Sequence, residues 1–253
     1  MLKPLTVGSL FAGIGGFDLG LERAGMTITW QVEINPYCQQ VLAQHWPEVT
    51  RYGDITHVDW AGVEPVDLLC GGFPCQDLSV AGRGAGITGS RSGLWSEYVR
   101  AIRSLRPRYV LVENVPGLLA NAAMGRVLKD VAESGYDAEW QVLSAADFGA
   151  PHIRKRAWIV ATLADSERLR SQRERDEWSA EGPPGLCYGT WADQAQAVPC
   201  AATEWWAVEP HVGRVAHGVP KRVDRIKGLG NAVVPQIVEW IGRRIVAHHE
   251  GRM

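Results

Sequence analysis

Short apolar runs alternate with amphipathic stretches along residues 1–164 of the chain. The apolar runs predict buried strands, and the amphipathic stretches predict helices that cover them. We predict strands at 6–11, 27–32, 66–70, 109–112, 136–144 and 154–160, and helices at 17–24, 37–45, 94–105 and 125–133. Because strands and helices alternate, the pattern indicates an α/β fold with helices on both faces of a sheet.

The regular pattern stops at Asp165 and returns after Lys221. The stretch between them is polar, its periodicity is poor, and it contains four of the eleven tryptophans. We therefore expect a main domain over 1–164, a small second region over 165–221, and a C-terminal segment over 222–253 that returns to the main domain. A helix is predicted at 236–248, opened by Pro235 near its first turn.

Composition excludes several classes of protein. The chain has 253 residues, of which 46% are hydrophobic and 21% charged, as in an ordinary globular protein. No apolar run could cross a bilayer and no signal-type segment is evident, so we expect a cytoplasmic protein with no membrane partner. Five cysteines without a C-x-x-C pair argue against a disulfide framework. Cys187, Cys200, His211 and His217 match no common zinc spacing, and no metal site is expected.

A glycine-rich turn, residues 12–16, joins the first strand to the first helix. Such a turn lets the backbone approach a ligand and points helix N–H groups at it. Glu33 follows the next strand, about 20 residues later, where an acidic side chain can bind ribose hydroxyls. Asp54 could accept a hydrogen bond from an exocyclic amino group, or it could be a solvated turn residue. The turn and Glu33 alone would also fit a nicotinamide oxidoreductase.

Cys75 lies in the segment Gly71-Gly72-Phe73-Pro74-Cys75-Gln76, just after a predicted strand. Open α/β sheets place their ligand crevices at this end of the strands. Cys75 is therefore either a nucleophile or a small buried side chain in a tight turn. The residues that follow, 80–93, are rich in glycine, serine and arginine, as in a loop that closes over a substrate.

Charged side chains are predicted at the same edge of the sheet. Glu113 follows a buried strand and is either an acid or a member of a strand-end salt bridge. Arg154 and Arg156 alternate along a later strand and therefore share one face. Their guanidinium groups could hold an anion or a base from one side, or they could mark a solvated edge.

In this order the segments resemble the DNA (cytosine-5)-methyltransferase family of bacterial or phage type, over most of the chain. The resemblance rests on Leu10-Phe11-Ala12-Gly13-Ile14-Gly15-Gly16-Phe17 and on Gly72-Phe73-Pro74-Cys75-Gln76 with Glu113-Asn114-Val115. Arg154 with Arg156 and the stretch Gly230-Asn231-Ala232-Val233-Val234-Pro235 support it. Two departures are His152, where the family usually has glutamine, and an unclear ninth motif near 213–218.

The resemblance implies a Rossmann-like sheet that binds S-adenosyl-L-methionine, plus a small, poorly regular target-recognition domain. It implies an enzyme that transfers a methyl group to C5 of a flipped cytosine through a Cys75 adduct at C6. The catalytic residues are then Cys75, Glu113, Arg154 and Arg156. The cofactor-binding residues are Phe11, Gly13, Ile14, Gly15, Gly16, Glu33, Ile34, Asp54, Ile55, Pro74, Leu94, Asn231 and Ala232.

The same resemblance implies double-stranded DNA as the substrate, a monomeric enzyme, and a cognate restriction endonuclease as a candidate partner. An RNA cytosine-5 methyltransferase of the same fold is the alternative. A non-catalytic binding module is disfavoured because Cys75, Glu113 and both arginines are present. An oxidoreductase leaves the segments around Cys75 and Glu113 unexplained. The short second region leads us to expect a short recognition sequence.

Overall fold

The structure, a computed structural model, describes residues 3–74, 93–119, 122–164 and 222–251. Cys75, loop residues 80–92 and region 165–221 lie outside the described residues. The same holds for the zinc-spacing candidates and the stretch 213–218. Within the described ranges, no helix is both long and apolar enough to cross a membrane.

Seven strands form one mixed sheet in the order β3-β2-β1-β4-β5-β7-β6. The strands are β1 (Thr6–Leu10), β2 (Thr27–Val32), β3 (Thr50–Tyr52), β4 (Leu68–Gly71), β5 (Tyr109–Asn114), β6 (Tyr136–Ser144) and β7 (Lys155–Leu163). The first five strands are parallel to one another. The seventh lies between β5 and β6 and is antiparallel to both, so its first residues reach the carboxyl edge of β5.

Helices cover both faces of this sheet, as the sequence predicts. The described helices are α1 (Gly16–Arg23), α2 (Pro36–His45), α3 (Gly93–Leu105), α4 (Ala122–Glu133), α5 (Arg222–Asn231) and α6 (Pro235–His249). Apolar side chains of α1, α2 and α6 join one core, and those of α3 and α4 join the other. Successive residues of the central strands pack into opposite cores: Leu69 belongs to one and Leu68 to the other.

The C-terminal segment returns to the main domain by packing α6 against α1. Small residues allow the close approach: a Cβ on Gly20 would lie 2.5 Å from Cβ of Val238. On the other helix, a Cβ on Gly242 would lie 2.7 Å from Cβ of Ala24. Larger side chains at these glycines would push the two helices apart.

Besides shifts of one to three residues at the ends of other elements, the structure departs from the sequence-based predictions at β5, β3 and α5. Strand β5 extends two residues further than predicted, because Glu113 and Asn114 pair with Trp158 and Ala157 of β7. Strand β3 was not predicted: its three residues, Thr50–Tyr52, are too few and too polar to give a periodic signal. Helix α5 was also not predicted, since Gly228 and Gly230 interrupt its pattern.

A buried polar network ties α1 to the first two strands. The Asp18 carboxylate accepts hydrogen bonds from Gln31 Nε2 at 2.8 Å and from Ser9 Oγ at 3.2 Å. All three side chains are fully buried. Burial raises the pKa of Asp18 from 3.8 to about 6, although both hydrogen bonds act in the opposite direction.

We predict that Asp18→Asn changes how stability depends on pH. Because the folded-state pKa is raised, the contribution of Asp18 favours folding below pH 3.8 and is lost as pH rises through about 6. The variant lacks this titration, so its stability relative to the parent should rise by about 2–3 kcal/mol between pH 4 and pH 7.5. Urea unfolding across that range measures the difference.

Asp137→Asn is the matched control, because Asp137 is an exposed aspartate on β6. Its stability relative to the parent should change little over the same range. A constant difference between parent and Asp18→Asn would show that the carboxyl group does not titrate as its burial requires.

Candidate active site

Several of the predicted site residues that the structure describes lie along the carboxyl edge of the sheet. The strand register pairs Leu10 of β1 with Val32 on one side and with Gly71 on the other. Gly71 in turn pairs with Val112 of β5. The residues that follow these strand ends therefore meet at one edge, with the glycine turn and Glu33 at one end and Glu113 at the other.

The glycine turn is shaped by backbone conformations that few side chains permit. Gly13 and Gly15 have φ angles of 58° and 87°, and Phe11 is also left-handed at 52°. Gly15 is the N-cap of α1 and provides no side-chain hydrogen bond to the helix. No N-cap side chain therefore blocks the start of α1, where helix N–H groups can face an anionic or polar ligand.

Glu33 holds the glycine turn next to the start of α2. Its Oε2 accepts a hydrogen bond from the Gly13 N–H at 2.7 Å, and its Oε1 accepts one from the Asn35 N–H at 2.7 Å. Gln39 Nε2 donates to the Glu33 backbone carbonyl at 2.5 Å. A carboxylate fixed in this way can still accept hydroxyl hydrogen bonds on its remaining lone pairs.

Apolar and acidic groups flank Glu33. Ile34 is 65% exposed beside it, an unusual position for a large apolar side chain at the end of a buried strand. Asp54 follows β3 and accepts hydrogen bonds from the Thr56 N–H at 2.9 Å and from its hydroxyl at 2.8 Å. The hydrogen bond from the Thr56 backbone is the main cause that lowers the pKa of Asp54. Asp54 is therefore ionised at neutral pH and can only accept hydrogen bonds.

The other residues predicted to bind the cofactor differ from one another in exposure. Ile55 is buried, Phe11 and Leu94 are half-buried, and Pro74 is exposed at the last described position before Cys75. The ring centroid of Phe11 lies 6.4 Å from that of Tyr98 on α3.

The last motif of the chain packs against the glycine turn. A Cβ on Gly16 would lie 2.9 Å from both Cγ2 and the carbonyl oxygen of Val233, and one on Gly228 would lie 3.1 Å from Ile14 Cγ2. Ala232 is half-buried and its N–H donates to the Gly228 carbonyl, whereas Asn231 is exposed at the end of α5. The structure thus brings the last predicted motif to the first one, more than 200 positions earlier in the sequence.

Glu113 forms a buried ion pair with Arg156. Arg156 Nε lies 2.9 Å from Glu113 Oε1, and the two side chains are 21% and 12% exposed, respectively. Burial raises the pKa of Glu113, and the charges of Arg156 and Arg154 oppose this rise. The net shift is upward, so this carboxyl group holds a proton more readily than an exposed glutamate does. The structure therefore shows the predicted strand-end salt bridge, and the role of Glu113 as an acid stays a prediction.

Gly72 provides the space that Glu113 occupies. A Cβ at this glycine would lie 2.8 Å from Glu113 Oε2 and 3.4 Å from the Glu113 carbonyl oxygen. The backbone between β4 and Cys75 therefore runs directly alongside the carboxyl group. A larger residue at this position would require the Glu113 carboxyl group to move.

Arg154 connects the acid cluster to the C-terminal segment. Its Nη1 donates to the Gly230 carbonyl at 2.9 Å. Its Nε is buried and has no hydrogen-bond partner among the described residues. Burial, followed by the neighbouring charge of Arg156, lowers the pKa of Arg154. One donor of the guanidinium group is therefore unsatisfied within the described residues.

His152 lies close to this cluster at the surface. It is exposed, and together with Arg154 it lines a cavity of about 940 Å³ that also reaches Gly15 and Val233. The family resemblance assigns no role to His152. Because His152 and Arg154 line the same cavity, His152 can contact a ligand bound there.

One supporting residue was missed by the sequence-based site prediction. Asn114 is buried, and its Nδ2 donates to the Phe73 carbonyl at 3.2 Å while its Oδ1 accepts from the Val115 N–H at 2.8 Å. It therefore links the segment after β5 to the segment that leads to Cys75. The signal was present, since Asn114 stands inside the quoted motif, but its contacts follow only from the register of β4 and β5.

Solved structures support the same fold class. A prophage-encoded protein from Escherichia coli, described as a DNA modification methyltransferase, aligns with a TM-score of 0.54 at 28% identity, over 66% of this chain and 48% of that one. The Dnmt2 methyltransferase of S. pombe aligns with a TM-score of 0.55 at 21% identity, over 74% of this chain and 58% of that one. The sheet therefore has the same α/β fold as these solved methyltransferases.

Residues 5–185 match the family model described as C-5 cytosine-specific DNA methylase. The Bacillus subtilis type II methyltransferase M2.BsuMI is 35% identical over 95% of this chain and 75% of its own length. The chain belongs to the C-5 cytosine-specific DNA methylase family.

Other relatives are longer than this chain. M.HhaI of Haemophilus parahaemolyticus is 36% identical over 65% of the chain, and M.NlaIV of Neisseria lactamica is 34% identical over 63%. The chain spans 51% and 42% of the lengths of these two proteins.

We predict that Glu113 and Arg156 are energetically coupled. Glu113→Gln and Arg156→Gln should each destabilise the protein by roughly 2 kcal/mol or more, since each leaves a buried charge without its partner. The double variant should lose less than the sum, by about 1–3 kcal/mol. Urea unfolding of the four proteins at pH 7.5 gives this coupling energy.

Glu239 and Arg243 on α6 provide the control pair. Their side chains meet at a similar distance, 2.7 Å, but Arg243 is 66% exposed. Their coupling should stay below about 1 kcal/mol. Equal coupling in the two pairs would contradict a special role of burial around Glu113.

Proposed function

We propose that this chain is a DNA cytosine-5 methyltransferase that takes its methyl group from S-adenosyl-L-methionine. The observation that carries the proposal is the buried Glu113–Arg156 pair, held directly beside the backbone of Gly72, three residues before Cys75. The sequence around Cys75 and the family of the chain support the same assignment.

The described residues fit the proposed cofactor. The uncapped N-terminus of α1 suits its carboxylate, Glu33 suits its ribose hydroxyls, and ionised Asp54 suits its exocyclic adenine amino group. Exposed Ile34 offers an apolar surface for the adenine ring. When bound, the cofactor supplies an electrophilic methyl group on a sulfonium. We assign Phe11, Gly13, Ile14, Gly15, Gly16, Ile55, Pro74, Leu94, Asn231 and Ala232 to the same site.

Cys75 and Glu113 have complementary roles in the proposed mechanism. The Cys75 thiolate adds to C6 of cytosine, which makes C5 an enamine-like carbon able to accept a methyl group. Negative charge would otherwise accumulate at N3, and Glu113 is suited to protonate that nitrogen because burial raises its pKa. After transfer, loss of the C5 proton expels the thiolate and restores the aromatic ring.

The two arginines have different tasks. Arg156 is bound to Glu113 and fixes the direction of its carboxyl group. Arg154 lines the cavity beside the glycine turn, and its guanidinium group is suited to hold the carbonyl oxygen of the base. Since a stacked base is out of reach of these groups, the target cytosine must be rotated out of the duplex.

Region 165–221 is proposed to recognise the target sequence, between the main domain and the returning segment 222–253. Its position between two parts of the main domain supports this role, and its tryptophans and arginines suit contacts to bases and phosphates. Double-stranded DNA is the proposed substrate, and loop residues 80–93 are proposed to close over it. A monomeric enzyme and a cognate restriction endonuclease complete the proposal.

We predict that the parent forms a stable covalent complex with a DNA duplex that carries 5-fluorocytosine at the target site. Fluorine cannot leave C5 as the proton does, so the adduct persists after methyl transfer. Cys75→Ser should form no complex while it still binds S-adenosylhomocysteine. Denaturing electrophoresis detects the complex, and calorimetry measures the binding.

A matched RNA duplex distinguishes the alternative substrate. We expect methyl transfer to DNA and little to RNA, and base-resolution mapping identifies the modified cytosine. Trapping by Cys75→Ser, or faster transfer to RNA than to DNA, would overturn the respective part of the proposal.

We also predict that Gly72→Ala lowers kcat by about tenfold to a hundredfold, because the added methyl group displaces the Glu113 carboxyl group from its position. The control is Gly125→Ala on α4, where a Cβ would meet no atom within 4 Å. Its kcat should match that of the parent. Full activity in Gly72→Ala would show that the exact place of the Glu113 carboxyl group is unimportant.

A further inference from the structure

Arg100 joins α3 to the short 3₁₀ turn that follows Asp54. Its Nη2 donates to the Ile55 carbonyl and its Nη1 to the Val58 carbonyl, both at 3.2 Å. These carbonyls lie at the two ends of the turn formed by Ile55–His57. One guanidinium group therefore clamps the backbone of the turn from a neighbouring helix.

The Arg100 side chain is itself held in a single direction. Glu97, three residues earlier on α3, accepts from Arg100 Nε at 2.7 Å. The guanidinium carbon lies 5.9 Å from the centroid of the buried Trp60 ring. Although the side chain is 43% exposed, its polar end is fixed by a carboxylate, two carbonyls and an aromatic ring.

Other supports of the turn are local, namely the Asp54 side chain and two backbone hydrogen bonds within the turn. Asp54 Oδ1 binds the N–H and hydroxyl of Thr56, which caps the beginning of the turn. The position of the carboxylate is thus coupled to a 3₁₀ turn of three residues. Arg100 adds hydrogen bonds from a neighbouring helix to the carbonyl groups of that turn.

We propose that Arg100 is a positioning residue for adenine recognition. It acts through the Ile55 and Val58 carbonyls to keep Asp54 where its carboxylate accepts the exocyclic amino group. This inference rests on the proposed function, and in particular on Asp54 as the adenine acceptor. Because α3 begins at Gly93, 18 positions after Cys75, the same clamp connects that helix to the adenine side of the crevice.

The test compares S-adenosylhomocysteine with its inosine counterpart, which has a carbonyl in place of the amino group. Calorimetry with the full chain should show that the parent prefers the adenosine compound by roughly tenfold or more, since Asp54 can only accept. Arg100→Ala should lower this preference at least about fivefold, and kcat at saturating cofactor should change little. Asp54→Ala should remove the preference, and the double variant should resemble Asp54→Ala.

Arg103→Ala is the control on the same helix, because Arg103 contacts Ser134 and Glu133 instead of the turn. It should retain the parental preference. Arg100→Lys keeps the charge and one donor group, and it should recover part of the preference. If Arg100→Ala does not fold, Arg100→Gln takes its place.

Failure of the positioning role and failure of the proposed cofactor site would give different results. An unchanged preference in a folded Arg100 variant, with the parent still selective, would overturn the positioning role alone. Loss of thermal stability with an unchanged preference would likewise assign Arg100 a purely structural role. A parent that binds neither compound would overturn the proposed cofactor site instead.

Discussion

The burial of Glu113 beside Arg156 is the constraint on which the rest of the site depends. A carboxyl group at the end of a central strand is removed from water, and an isolated charge there would be costly. The antiparallel strand β7 provides the compensating charge. Its first residues, which include Arg156, lie at the carboxyl edge of β5. A parallel strand in that place would have put Arg156 at the opposite edge of the sheet.

The same edge is divided into two halves with different physical character. The glycine turn and Glu33 present backbone donors and exposed acceptors, which suit a ligand with hydroxyl, amino and carboxylate groups. The Glu113 end presents buried, mutually compensating charges, which suit proton transfer to a base. Arg154 bridges the halves through the Gly230 carbonyl, because the segment with Gly230 also packs on the glycine turn.

Much of the fold was predictable from sequence, because strands buried on both faces and amphipathic helices leave clear periodic signals. The glycine turn that contains Gly13 and Gly15 was also predictable, because the local sequence alone is enough to recognise it. The extension of β5 to Asn114 was not visible, since it depends on pairing with Ala157, 43 positions away. Arg100 resembled an ordinary helix-surface arginine, because its carbonyl partners lie more than 40 positions earlier.

The buried network around Asp18 shows how the site and the fold are joined. Asp18 lies one turn into α1, and its partners are on the strands that lead to the glycine turn and to Glu33. Any shift of α1 would therefore break hydrogen bonds to both strands and leave a buried carboxylate unsatisfied. Helix α6 fixes the opposite side of α1 through the contact at Gly20. The N-terminus of α1 is thus held rigidly from two sides while its first N–H groups stay uncapped, which is the preorganisation that a small polar ligand requires.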